Sequence, residues 1–457
     1  MGVVEDSKAQ FDATTLSDAE ILKTYIDDFE GSTAFTLMTA GKAYYRGEND
    51  ILSRKVYRYV NDSKVEDTEA TNNRVSHPFM RFAVEEKVAY LLGESPTYGV
   101  KGDGQQAFAD ALNEVLDATF DDVLNDVAVE ASNSGIGWLH AYMETNFDHE
   151  GNPLGNSLGW MSVSADQVIP IWRDEAHRVL DAVIRTYFAE EYEGEEKKLV
   201  RKVEVWTATT VEYWTEYEGE LILDIEREES GAPVGHFEAL GDGSMYGWGI
   251  VPFVPFKNNS LALPDLHTVK TIIDDYDAKV SDSANLLEEI QRFVYVLKNY
   301  SGTSLDEFVT NIRRYRAIKV DEDGGVDKVT ADLNPDALEK HLERLKGDFY
   351  QFGQSVRMDT ETFGSNPSGV ALEFLYSGLK LKANNMERKM KAAFRDVFKL
   401  VCQFMRQTGM GDYDPALGDV TFTRSTITNV SEMLESVNTA TATHSKRTAL
   451  EHSPWVD

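Results

Sequence analysis

Residues 321–327, Asp-Glu-Asp-Gly-Gly-Val-Asp, carry carboxylates at the alternate places from which a calcium loop takes its ligands. The loop fails twice: its sixth place is Val326 instead of glycine, and its twelfth is Asp332 instead of a bidentate glutamate. A hairpin tip is the plainer reading. Asp274, Asp275 and Asp277 make a second carboxylate cluster and Asp121-Asp122 a third, and on helices of so acidic a chain a solvated face accounts for both. Arg313, Arg314, Arg316 and Lys319 form a basic patch suited to an acidic partner. The nine histidines are scattered with no pair at metal-ligand spacing, so no metal is expected. Phosphate-binding, dinucleotide, serine-hydrolase and zinc-protease motifs are missing, and neither catalytic residues nor a cofactor are expected. Trp160, Trp172, Trp206 and Trp214 could be stacking platforms of an acidic carbohydrate-active enzyme with a carboxylate pair. In alternating strands they serve more simply as core.

The bulk charge narrows the classes further. Against 78 acidic residues stand 45 lysines and arginines, a net charge of −33. Such a surface repels nucleic acid and anionic lipid, which excludes tight wrapping by charge neutralisation but permits an acidic wall beside passing DNA. The single cysteine, Cys402, lies among apolar neighbours and reads as a small core residue in a reducing compartment. No run of eighteen apolar residues and no secretory signal is present, so no membrane role is expected. The length accommodates two to three domains. The chain stops at Asp457 without a stop signal, and further residues are expected beyond it.

The elements that would position these residues follow from periodicity. Residues 1–30 open as an acidic arm, with a capping box at Ser17-Asp18-Ala19-Glu20 starting a short helix. Helices are expected near 34–45, 79–91 and 105–133, with 61–71 a loop. From Gly135 the period changes to two, giving a mostly antiparallel sheet at 136–143, 160–163, 168–172, 180–192, 203–208, 211–217, 221–225 and 250–256. Pro264 opens a helix to Ile290; a strand at 293–297, a short helix at 304–312 and a hairpin at 317–330 follow. Asn334-Pro335-Asp336 then starts a helix whose Leu338, Leu342, Leu345, Phe349, Phe352 and Val356 repeat every 3.5 residues, a seam rather than a broad face. After a polar loop, Asp359-Thr360-Glu361-Thr362-Phe363-Gly364-Ser365-Asn366, a helix from Pro367 reaches Thr408, with a bend expected at Gly378. It is basic: Lys380, Lys382, Arg388, Lys389, Lys391, Arg395, Lys399 and Arg406 stand against Glu373, Glu387 and Asp396. The fold class is α+β.

Several short pieces, in order, resemble the portal proteins of tailed bacteriophages, siphophage type. They are Tyr44-Tyr45-Arg46-Gly47 with Asp50-Ile51, Asn72-Asn73-Arg74, Gln167-Val168-Ile169-Pro170-Ile171, and Val251-Pro252-Phe253 before Asn258-Asn259. Ile273-Asp274-Asp275-Tyr276-Asp277 with Ser281-Asp282, Val296-Leu297-Lys298, residues 363–372 and Glu387-Arg388-Lys389 continue the series. The resemblance implies a portal fold: an α/β wing (31–263 and 368–408), a two-helix stem (264–291 and 335–357), a small α/β clip (292–334), a tunnel loop (358–367) and a helical crown from 409. It implies a homo-oligomeric ring, usually of twelve subunits, at one capsid vertex, assembled in the host cytoplasm. Double-stranded DNA is packaged and ejected through it, terminase and then a head-tail adaptor dock at it, and the major capsid protein surrounds it. Asp359 to Asn366 would face DNA; Arg313, Arg314, Arg316 and Lys319 would meet docking partners; Leu338, Leu342, Leu345, Phe349 and Phe352 would join subunits. A head-tail adaptor or minor capsid protein is the nearest alternative. The acidic arm has no counterpart in the resemblance, and the crown is short.

Overall fold

The computed structural model describes residues 17–60, 62–147, 149–150, 153–194, 196–228, 231–238, 244–289, 294–298, 325–329, 335–357 and 369–424. Internal contacts divide the chain into two units. One comprises residues 1–47, 78–269 and 350–457; the other comprises 48–77 and 270–349.

The first unit is built on an antiparallel sheet with strands in the order Glu220–Leu223, Thr210–Tyr217, Glu196–Trp206, Leu180–Glu193, Val168–Trp172. Alternation sends neighbouring residues to opposite faces. Val168, Val183, Trp206 and Val211 pack on one side against Ile136, Trp138, Val163 and Phe253, which belong to a three-stranded sheet (Phe253–Lys257, Ile136–Phe147, Pro153–Val163). Ile169, Ile184, Val203, Val205, Trp214 and Leu221 point the other way, onto Ile21, Leu22 and Ile26 of the helix Asp18–Glu30. The capping box that opens this helix is formed: Glu20 N–H donates to Ser17 Oγ at 3.3 Å and Ser17 N–H to Glu20 at 2.7 Å. The helix 18–30, at the end of the stretch read from sequence as an acidic arm, therefore packs one face, Ile21, Leu22 and Ile26, into the core. Trp160, Trp206 and Trp214 are buried, as a core role requires, and Trp172 is half-buried against the same core as Trp206.

The helix Ser377–Thr408 buries Met386, Met390, Phe394, Val397 and Val401 in the same unit. The Phe394 ring lies 5.9–6.1 Å from those of Tyr98, Phe120, Phe256 and Phe422, so one residue near the chain's C-terminal end joins pieces more than 300 positions apart. Cys402 is buried.

Several elements are shorter than periodicity implied. The 105–133 helix is two, Gln106–Val115 and Ala118–Ser134, because Asp117 caps the second by accepting from Thr119 and Phe120 N–H. The basic helix breaks at Tyr376 into Gly369–Leu375 and Ser377–Thr408, two residues before the glycine expected to bend it. The helix from Pro335 ends at Gly353, since Gln354 turns to φ +54°. Helix Ala118–Ser134 stops at Gly135, whose φ of +84° and 2.1 Å clearance between an added Cβ and Ala262 O admit only glycine.

Pro264 opens only a short 3-10 turn, Asp265–Thr268, in the first unit; the helix proper, Lys270–Glu289, belongs to the second. The second unit also holds Pro335 to Phe349 of the next helix, the hairpin Tyr57–Val60 with Ser63–Glu66, and Val294–Lys298 paired antiparallel with Gly325–Val329. The second strand of the hairpin, Ser63–Glu66, lies within 61–71, a stretch read as loop.

Candidate functional site

Several of the fragments that stood out in sequence, among them Asp50-Ile51, Asn72-Asn73-Arg74, Asn258-Asn259 and Ile273–Asp277 with Ser281-Asp282, contribute to two polar knots, one in each unit. In the second unit, the helix Lys270–Glu289 presents Asp277, Ser281, Asn285 and Glu288 at spacings of four, four and three, one stripe of a helix. Segment 48–77 hangs on that stripe. Asp277, fully buried, accepts from Asn49 Nδ2 at 2.6 Å and from His77 N–H at 3.1 Å, with His77 Nδ1 2.7 Å away. Ser281 Oγ accepts from Val75 N–H, Asn285 Oδ1 from Asn73 N–H at 2.6 Å, and Glu288 from Asn73 Nδ2. Arg54 pairs with Asp282 at 2.5 Å, and Lys270 bridges Asp50 and Asp274. The solvated-face reading of the 274–277 carboxylates is thus overturned for Asp277, whose lone pairs are used inside the fold. Asp275 instead reaches His341 Nε2 at 2.9 Å, tying the two long helices of this unit.

The other knot surrounds Lys87, which has no solvent contact. Its Nζ donates to Asp265 Oδ2 and Asn258 Oδ1, both at 2.7 Å, while Asn258 Nδ2 donates to Asp265 Oδ1 at 2.9 Å. Lys382 stands 3.1 Å from the same carboxylate and donates to Gly353 O at 2.8 Å. Burial pulls the Lys87 pKa down to about 8, against the opposing pull of Asp265. Burial works to raise that of Asp265, but Lys382 and Lys87 outweigh it and hold the carboxyl below its ordinary value. Next to Lys87, Glu86 accepts from Val356 N–H at 3.1 Å, its pKa raised by burial despite that bond. Val356 itself is buried with Tyr90, Leu379 and Ala383. The knot therefore fastens both the incoming end (353–356) and the outgoing end (379–383) of the segment read as the DNA-facing loop. Removing one partner of such a buried set leaves a charge uncompensated, at a cost of about 3–5 kcal/mol.

Residues 31–457 match the family model described as phage portal protein, SPP1 Gp6-like. The chain belongs to this family. It is similar to the portal protein of Bacillus phage SPP1, 36% identical over 420 residues, covering 91% of this chain and 80% of the relative. It is also similar to the portal protein of Clostridium phage phiCD119, 31% identical over 426 residues, 91% of this chain and 88% of the relative. Portal proteins are structural components of the virion at the capsid's portal vertex, which removes the carbohydrate-active enzyme.

Of the sites expected in a portal subunit, Asp359–Asn366 and the patch Arg313, Arg314, Arg316 and Lys319 lie outside the described residues, as does most of the calcium-like loop. On the helix Pro335–Gly353, Leu338 and Leu342 are half-buried, Leu345 and Phe349 are buried within the chain, and Phe352 is 57% exposed. Among the described residues no acidic or histidine cluster is shaped to hold a metal, and no helix is long and apolar enough to cross a membrane. Sequence reading gave no role to Asn49, His77, Lys87, Asn258, Asp265 or Lys382. The four-residue spacing of Asp277, Ser281 and Asn285, a polar stripe on a helix, was the available signal for the first knot.

Proposed function

We propose that this portal chain is one wall segment of a closed ring of about twelve subunits lining the channel for double-stranded DNA at the capsid vertex. The wing comprises 31–263 and 368–408, the stem 264–291 and 335–357, the clip 292–334 and the crown the residues from 409. Asp359 to Asn366 face the passing duplex, with Thr360, Thr362 and Asn366 touching phosphate and Phe363 packing the loop base. Arg313, Arg314, Arg316 and Lys319 meet acidic surfaces of terminase during filling and of a head-tail adaptor afterwards, and the major capsid protein encloses the wing.

The observation that carries this reading is the family match across 31–457. Geometry adds support: Leu338 and Leu342 remain half-open, and Leu287 is 59% exposed on a helix whose polar stripe is already committed internally. In a head-to-tail ring each subunit covers one such face with a different face of its neighbour. Electron microscopy of purified chain should show rings pierced by a tunnel, with native mass giving the subunit number. A folded chain that stays solitary at high concentration would end the proposal.

A further inference from the structure

The exposed side of helix Ser377–Thr408 is a basic ridge. Arg388, Arg395, Lys399 and Arg406 are exposed at steps of seven, four and seven, in line along about 27 Å. The few acids nearby are committed: Asp396 pairs with Lys399 at 2.7 Å, Asp412 with Arg406 at 2.7 Å, and Glu387 with Lys391 at 2.8 Å and with Arg424. Among the described residues Arg388, Lys389 and Arg395 have no carboxylate partner. Lys257 registers this surplus: burial, then the charge of Lys389, lowers its pKa. Recesses flank the ridge. One, of about 580 Å³, is walled by Lys101, Lys391, Arg395 and Lys399, with Asp419 paired to Lys101 at 3.2 Å; the other, of about 590 Å³, by Lys382, Asn385, Arg388 and Lys389, with Asp265 already held by Lys87 and Lys382.

We infer that this ridge is an electrostatic seat for the acidic surface of a second copy of this chain, its recesses taking protruding carboxylates. The inference rests on the ring reading. The chain carries 78 acidic residues, so a second copy has carboxylates to set at short range against the unpaired cations Arg388, Lys389 and Arg395. A closed ring of identical subunits needs two unlike faces. A basic strip on an acidic body supplies the first, and complementary potential sets which way the neighbour docks.

The test compares the full wild-type chain with Arg388→Glu/Lys389→Glu/Arg395→Glu and with the charge-preserving Arg388→Lys/Arg395→Lys, by mass photometry over a range of salt. Wild type and the lysine variant should form rings whose half-assembly concentration rises with salt. The glutamate variant should need at least roughly ten-fold more protein, with an unchanged melting temperature. Rings from the glutamate variant at the wild-type concentration would overturn the inference alone, as would salt-independent assembly of the wild type. Normal rings with lost affinity for a short DNA duplex would assign the ridge to DNA and overturn it too. A wild-type chain that never forms rings would overturn the ring reading and this inference together.

Discussion

Asp277 and Lys87 are buried charged side chains whose partners come from distant parts of the sequence, and each leads to a measurable consequence. Asp277→Ala strips the carboxylate from Asn49 Nδ2 and His77 N–H inside the fold. A loss of about 3 kcal/mol is expected in urea unfolding, since the orphaned donors keep their desolvation penalty. Asp274→Ala, whose partner Lys270 retains Asp50, should cost under about 1 kcal/mol. Lys87 gives a pH dependence. Its folded pKa of about 8 lies below its ordinary 10.5, so between those values the unfolded chain binds more protons and stability rises with pH. The difference in unfolding free energy between wild type and Lys87→Met should therefore move in favour of wild type by up to about 3 kcal/mol from about pH 7.5 to about pH 10. The variant keeps Lys382 beside Asp265, so it should fold. A flat difference would show that Lys87 is not strained by burial.

At the scale of elements, the seam of helix Pro335–Gly353 behaves differently along its length. Leu345 and Phe349 are buried in the isolated chain, so replacing them would damage the subunit before any assembly. Leu338→Asp/Leu342→Asp acts on half-open positions. Rings should be lost in native mass measurements while the melting temperature falls by only a few degrees. Gly135→Ala should destabilise by about 2 kcal/mol or more, because the left-handed turn and the Ala262 carbonyl both oppose a Cβ. Much of this level was legible in the sequence. The period change at Gly135, the strand Val168–Trp172 and the capping box at Ser17 are local signals, and local signals survive folding. What escaped depends on contacts or on single capping residues inside a periodic run. Asp117 cuts a run of apolar residues that otherwise looks continuous, and the burial of Asp277 depends on Asn49 and His77, each at least 200 positions earlier. Charge patterning assigned that carboxylate to solvent because nothing near it in sequence says otherwise.

For the whole molecule, the net charge sets the expected relation to DNA. Isolated rings should bind a short duplex only weakly at physiological salt, with a shallow dependence on salt concentration, since a channel that held its cargo would oppose its passage. Tight binding with a steep slope would refute the sliding picture. Chain order has a further consequence. Unit one is interrupted twice, and its core closes only when Phe394 and its neighbours in helix Ser377–Thr408 arrive. On the ribosome, nearly four hundred residues must emerge before Tyr98, Phe120 and Phe256 receive the aromatic ring against which they pack. The nascent polypeptide thus spends most of its synthesis with uncovered apolar surface, a natural client for host chaperones. A message truncated after codon 376 should yield aggregate in place of a soluble fragment.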